Sequence, residues 1–287
     1  MRNATRTFVL ALAAALAGAA PVLAGDIPAD VKEAIAYFEK YAVKAKDPSR
    51  YAELVHDLGA TQDPAAAERI GKIFTAEKNP EHHLIAADTL GDFTKSAEGK
   101  AAAGKALVKA LEKFDEEDLR ISIVDSLGKL TFADGTMPIC EVLRKAGSPW
   151  LMLRCVRALG TIKDMHALPT LLEILERYPV GFKWPAGDEV TVDTGSSGDA
   201  DQQAAEAQYN EQHKNDRGKK GKPPVMFKAY IQELKKTIQA ITNDTTIDGA
   251  QALRKWMVDR TDMLKKLGIE IPKYKGAAPA GEDPKKK

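Results

Sequence analysis

The chain has 287 residues, 44% of them hydrophobic and 29% charged, with 42 basic against 41 acidic side chains and a formal net charge of +1. That balance excludes both the global basic field that attracts nucleic acid and a polyanionic character. Aromatics make up only 6%, which disfavours a large β-sandwich, since strands draw on aromatic and β-branched residues.

Taken in chain order, the first element is a leader. Arg2 and Arg6 precede an apolar run over residues 8–20, and Val22, Leu23 and Ala24 offer small residues where a signal peptidase reads. The run is about 13 residues, short of the ~20 a spanning helix needs. Residues 1–24 therefore read as a secretory signal peptide cleaved near Ala24. An exported location, periplasmic or secreted, is expected, with no membrane span.

From residue 25 the dominant signal is internal repetition. Four amphipathic segments end in Leu-Gly, with the leucines at Leu58, Leu90, Leu127 and Leu159, spaced by 32, 37 and 32 residues. A period of that size belongs to stacked helical hairpins. Residues 31–41 supply the first helix of the opening pair, and residues 65–74, 101–111, 137–143 and 168–175 supply the later first helices, with apolar residues at three- and four-residue steps. Asp63-Pro64 and Ser148-Pro149 read as a cap followed by proline in the first helical turn. Ala86, Ala87 and Ala158 let second helices approach their neighbours, and the glycine after each leucine suits a left-handed helix end.

Cys140 and Cys155 are the only cysteines. They sit on the two helices of one hairpin, each about seven residues from its turn, so a Cys140–Cys155 disulfide is expected, with two buried thiols as the alternative. The five histidines include His82 and His83, whose adjacency rules out an i, i+4 zinc pair and suits solvated or capping roles.

Residues 179–224 interrupt the repeat with many glycines and prolines, forming an insertion in the fifth pair. Its acidic stretch (Asp188, Glu189, Asp193, Asp199, Asp201) lacks calcium-loop spacing, and its basic run, residues 213–222, reads as a solubilising loop. Ser196 and Ser197 lie in no nucleophile elbow, and Gly218 to Lys222 runs into Pro-Pro rather than a phosphate-binding helix. Phe182 and Trp184 either fold back on the fifth pair or anchor a partner. The helical pattern resumes at residues 225–241, with Ile241 at the leucine position and Thr242 at the glycine. Residues 250–267, with Trp256, cap the stack, and residues 271–287 form a disordered tail.

These residues resemble the HEAT-repeat family. Arg154-Cys-Val-Arg-Ala-Leu-Gly160 matches the second-helix pattern and Ala167-Leu-Pro-Thr-Leu-Leu172 the first-helix pattern, the likeness covering roughly residues 30–178. Val192-Asp-Thr-Gly195, the acidic segment from Gly198 to Ala205 and a terminal tryptophan helix are similar in layout to exported bacterial HEAT-like repeat proteins of unassigned function. The resemblance implies an all-α superhelix, or solenoid, of about five helix pairs.

The function expected is a non-enzymatic protein–protein interaction scaffold of the cell envelope, acting as a monomer with no cofactor, metal or nucleic acid. Arg154 and Arg157 are candidate surface contributors, together with Phe182 and Trp184. The alternatives are envelope-polymer or anionic-surface binding through the basic insertion, and an enzyme on the same scaffold.

Overall fold

The computed structural model describes residues 30–42, 45, 47–177 and 225–273, and all regular structure among them is helical. The helices are α1 (Val31–Ala42), α2 (Pro48–Ala60), α3 (Pro64–Gly71), α4 (Ile73–Ala76), α5 (Pro80–Gly91), α6 (Ala97–Lys113), α7 (Glu117–Lys129), α8 (Thr136–Lys145), α9 (Pro149–Ile162), α10 (Leu168–Arg177), α11 (Val225–Thr242), α12 (Ala250–Asp259) and α13 (Thr261–Lys266). The expected signal peptide, the insertion with Phe182 and Trp184, its acidic and basic runs and the tail beyond residue 273 lie outside the described residues, whereas Ile271, expected in the disordered tail, packs against the core.

The pairs stack in two layers. α1, α3, α6, α8, α10 and α12 form the first layer, and α2, α5, α7, α9 and α11 the second. This is an all-α solenoid of five helix pairs among the described residues, closed by α12 and α13. One apolar core runs the length of the stack, because no pair can bury its own face alone. Leu58, Leu90, Leu127 and Leu159 all point into it, none more than 2% exposed.

Local chemistry sets the helix starts. Asp47, Asp63 and Asn79 each precede a proline and accept a backbone N–H from Ser49, Ala65 and Glu81 respectively, so one device opens α2, α3 and α5. Ser148 sits at the same place before α9 but makes no side-chain cap bond. The helix ends depart from expectation. The Leu-Gly glycines stay helical, and the left-handed residues that follow second helices are Gln62 (φ 55°), Thr131 (φ 47°), Lys163 (φ 59°) and Asn243 (φ 52°).

The glycines are instead contact points between second helices. A Cβ on Gly59 would lie 2.4 Å from Thr89 Cγ2, on Gly91 2.6 Å from Ser126 Oγ, on Gly128 3.1 Å from Ala158 Cα and on Gly160 2.7 Å from Thr237 Oγ1. Each small residue stands two positions before its own repeat's glycine. The series therefore puts Ile238, not Ile241, at the leucine position of α11 and Gln239 at the glycine position. No further second helix follows α11 among the described residues, so no close approach there calls for glycine. Gln239 Nε2 instead donates to the carbonyls of Thr245 and Ile247, both at 3.0 Å, closing the turn toward α12.

The C-terminal cap is fastened by polar contacts. Arg254 on α12 donates to Glu176 Oε1 at 2.8 Å through Nε and to the Pro272 carbonyl at 2.7 Å through Nη1. His166 bridges Asp164 Oδ1 (2.7 Å) and the Leu267 carbonyl (3.1 Å). Both ring nitrogens face acceptors, and the Asp164 bond above all raises the His166 pKa from its ordinary 6.5. Burial opposes ionisation of Asp164, but hydrogen bonds from His166 hold its carboxyl below the ordinary value.

A raised histidine pKa adds stability that is complete below the unfolded value and is lost as pH rises through the folded one. The thermal midpoint is therefore expected to fall as pH rises above the ordinary histidine value of 6.5. His166→Gln should flatten that slope in melts followed by circular dichroism.

Candidate protein-binding face

The exposed side of the second layer carries a polar ladder. Counting back from each glycine position, three residues upstream lie His56, Asp88, Asp125, Arg157 and Lys236, and six upstream lie Glu53, Ile85, Ser122, Arg154 and Glu233. Helical geometry puts these two positions on one stripe.

Successive rungs bond across repeats. Ser122 Oγ donates to Asp88 Oδ1 at 2.8 Å, and Arg154 Nη1 donates to Asp125 Oδ2 at 3.1 Å. Thr89 Oγ1 lies 3.0 Å from His56 Nδ1, and Lys129 Nζ stands 3.9 Å from Asp92. Burial pushes the Asp125 carboxyl above its ordinary pKa, against the pull of Arg154, Lys129 and Arg157 and with the push of Asp88.

The two arginines thus differ. Arg154 is engaged: its ion pair ties α9 to α7, its guanidinium lies 5.9 Å from the Trp150 ring, and only 16% of its side chain is exposed. It is a structural residue rather than a free recognition group. Arg157, one turn on, is exposed and has no ion pair among the described residues. At the next step the rung does not form, because Glu233 faces Lys236 on its own helix at 3.9 Å. The face carries acidic Asp88 and Asp92, the latter beside Lys129, and basic Arg157 and Lys236.

A second polar grouping was hidden in the sequence. Glu77 follows α4 and accepts the Tyr51 hydroxyl through Oε1 at 2.7 Å, while its Oε2 contacts His82 Nδ1. The His82 ring stacks on Tyr51 at 3.6 Å, nearly parallel at 7°. His83 is buried, with Nε2 3.0 Å from the Glu77 carbonyl. Burial, then the bond to Glu77, pushes the Tyr51 phenol above its ordinary range.

The two histidines are therefore packed joints between pairs rather than solvated side chains. Nothing in the adjacency of His82 and His83 signals this, because their partners are supplied by other elements. Glu77→Ala strands the buried Tyr51 hydroxyl and is expected to cost about 1–3 kcal/mol in urea titration.

Cys140 and Cys155 are both buried free thiols, so the expected disulfide is absent. Burial, opposed by the neighbouring Thr170 hydroxyl, pushes the Cys140 thiol up to about 11, and burial raises Cys155 further still. Both act as small core residues. Neither is expected to alkylate in the folded chain near neutral pH, and both should react in denaturant, as mass spectrometry would show.

No cluster of three or more His, Cys, Asp or Glu side chains able to hold a metal forms among the described residues, and no described helix is long and apolar enough to cross a membrane.

The PBS lyase HEAT-like repeat family matches residues 153–177, spanning most of α9 and all of α10. The chain carries HEAT-like repeats. The match joins the second helix of the fourth pair, which carries Arg154, Arg157 and Gly160, to the first helix of the fifth, and the same small-on-glycine contact recurs at the other second helices. A search of curated proteins returned no match. HEAT-like repeats generally serve as protein-interaction scaffolds, through the extended surface that stacking creates.

Proposed function

We propose that this chain is a non-catalytic adaptor of the cell envelope that holds a protein partner on its second-helix face. The observation that carries the reading is the break in the ladder at Arg157. Asp88 and Asp125 are engaged between repeats by Ser122 and Arg154, whereas Arg157 is exposed with no ion pair among the described residues, and Glu233 pairs with Lys236 on its own helix. A partner presenting a carboxylate opposite Arg157 and a cation opposite Asp88 complements both halves of the face.

A non-catalytic role is supported by the Tyr51–Glu77–His82 grouping, whose polar atoms bond to one another and hold pairs together. The lyase in the matched family's name would call for an acid and a base converging on an open cavity. Envelope location is supported by the signal-like residues 1–24.

The test is a pull-down from envelope extract with the mature chain, with Arg157→Glu and with a version lacking residues 180–223. The reading expects a stoichiometric partner that Arg157→Glu releases. An identical partner set with Arg157→Glu would contradict it.

A further inference from the structure

The first-helix layer, opposite the ladder, holds a site that the adaptor reading does not use. Between α3 and α6 lies a recess of about 400 Å³. Lys72 stands on one side of it and Lys105, Lys109 and Lys113 on the other, with Glu68 as the single carboxylate in the lining. In a chain of net charge +1, that excess is local. Lys72, Lys105 and Lys109 are exposed and make no ion pair among the described residues. Lys113 is held at the end of the row, its ammonium donating to the Phe74 carbonyl at 2.9 Å.

The floor is made of methyl groups, chiefly Ala106 and Ala110. It is also rigid: a Cβ on Gly71 would lie 2.7 Å from Ala106 Cβ, so α3 and α6 touch at its base.

The spacing selects a ligand. Lys105, Lys109 and Lys113 recur every four residues, about 6 Å apart along a helix. Like charges at that spacing repel and weaken a helix on its own, and an anion laid along them relieves it. An extended polypeptide places alternate side chains on one side at about 6.6 Å intervals, a close match to the lysine row.

The site is a trough, not a flat face, so a planar lipid surface meets only its rim. The lining's one aromatic ring, Phe74, is buried, which leaves no platform on which nucleic-acid bases could stack.

We propose that this recess docks an extended acidic segment of another protein, its alternate carboxylates paired with Lys105, Lys109 and Lys113 and its intervening small side chains on the alanine floor. This site is separate from the second-helix face.

The test is fluorescence anisotropy of the mature chain with a labelled peptide of about ten residues alternating Glu and Ala, at low salt. A peptide of the same composition with its glutamates in one block is the comparison. The alternating peptide should bind more tightly than the block peptide. Its affinity should fall roughly tenfold or more in the Lys105→Glu/Lys109→Glu chain, and fall with added salt.

Both lysines are exposed, so the double variant should keep the parent's thermal midpoint. Arg157→Glu should leave peptide binding unchanged, which separates this proposal from the adaptor reading. Equal binding by the double variant, no preference for the alternating peptide, or tighter binding of inorganic polyphosphate or anionic vesicles would overturn it.

Discussion

Gly91→Ala is expected to destabilise the fold by about 1–3 kcal/mol, the cost of overpacking a filled contact. Helix propensity alone predicts the opposite sign, since Ala is favoured over Gly inside a helix by roughly 0.5–1 kcal/mol. The contact decides the matter. The added methyl would sit 2.6 Å from Ser126 Oγ, 2.8 Å from its Cβ and 3.1 Å from its Cα. Rotating the hydroxyl relieves only the first of these, and the other two require α5 and α7 to separate.

Ser126→Gly should recover much of the loss in the Gly91→Ala background, giving a coupling energy in a double-mutant cycle. Gly147→Ala is the control, because nothing lies within 4 Å of the Cβ it would gain. Chemical denaturation of the parent, both single variants, the double variant and the Gly147→Ala control measures both. A stabilising Gly91→Ala would mean the second layer is looser than described.

Leu127→Ala should cost more, about 2–5 kcal/mol, because Leu127 is fully buried and its removal leaves a cavity between stacked pairs. Its place in the array adds a second effect. Stability in a stacked-repeat protein is a sum of pair and interface terms, so weakening a central interface can uncouple the two halves. Leu127→Ala is therefore expected to split or broaden the unfolding transition. Leu58→Ala, in the first pair, should lower stability while leaving the remaining array to unfold as one unit. Urea titrations followed by both tryptophan fluorescence and circular dichroism distinguish the two patterns.

How much of this was legible in the sequence depended on whether a residue's partner was local. The Leu-Gly signature found the second helices, and its four leucines are all core. The reason for the glycines was misread, because a left-handed end and a close helix approach leave the same residue in the sequence. Only the position of Ser126 against Gly91, or Thr237 against Gly160, separates the two.

The register of α11 slipped by three residues for a related reason. Gln239 stands where earlier repeats have glycine, since among the described residues no second helix follows it, so the marker vanishes at the end of the row. The proline-led caps at Asp47 and Asn79 were readable by the rule that found Asp63.

The sites were less legible. Arg154 looked like a surface arginine until Asp125, 29 residues earlier, was found bonded to it. Tyr51, Glu77 and His82 come from separate elements that only stacking brings together. The lysine row on α6 reads as a solvated face in one dimension, and Lys72, between α3 and α4, is what turns it into the wall of a recess.

A continuous second-helix layer requires α11 to dock beside α9 as the next second helix, although residues 163–224 separate them in the chain. Thr237 Oγ1 donating to the Val156 carbonyl at 3.0 Å, over Gly160, is the contact that states it. Hydrogen–deuterium exchange on residues 25–287 tests this directly. Amides of residues 230–241 should share the slow exchange of residues 151–160, and Gly160→Val should speed exchange in both segments together. Exchange of residues 230–241 at the rate of an unstructured peptide, with α9 still protected, would contradict a continuous second-helix layer.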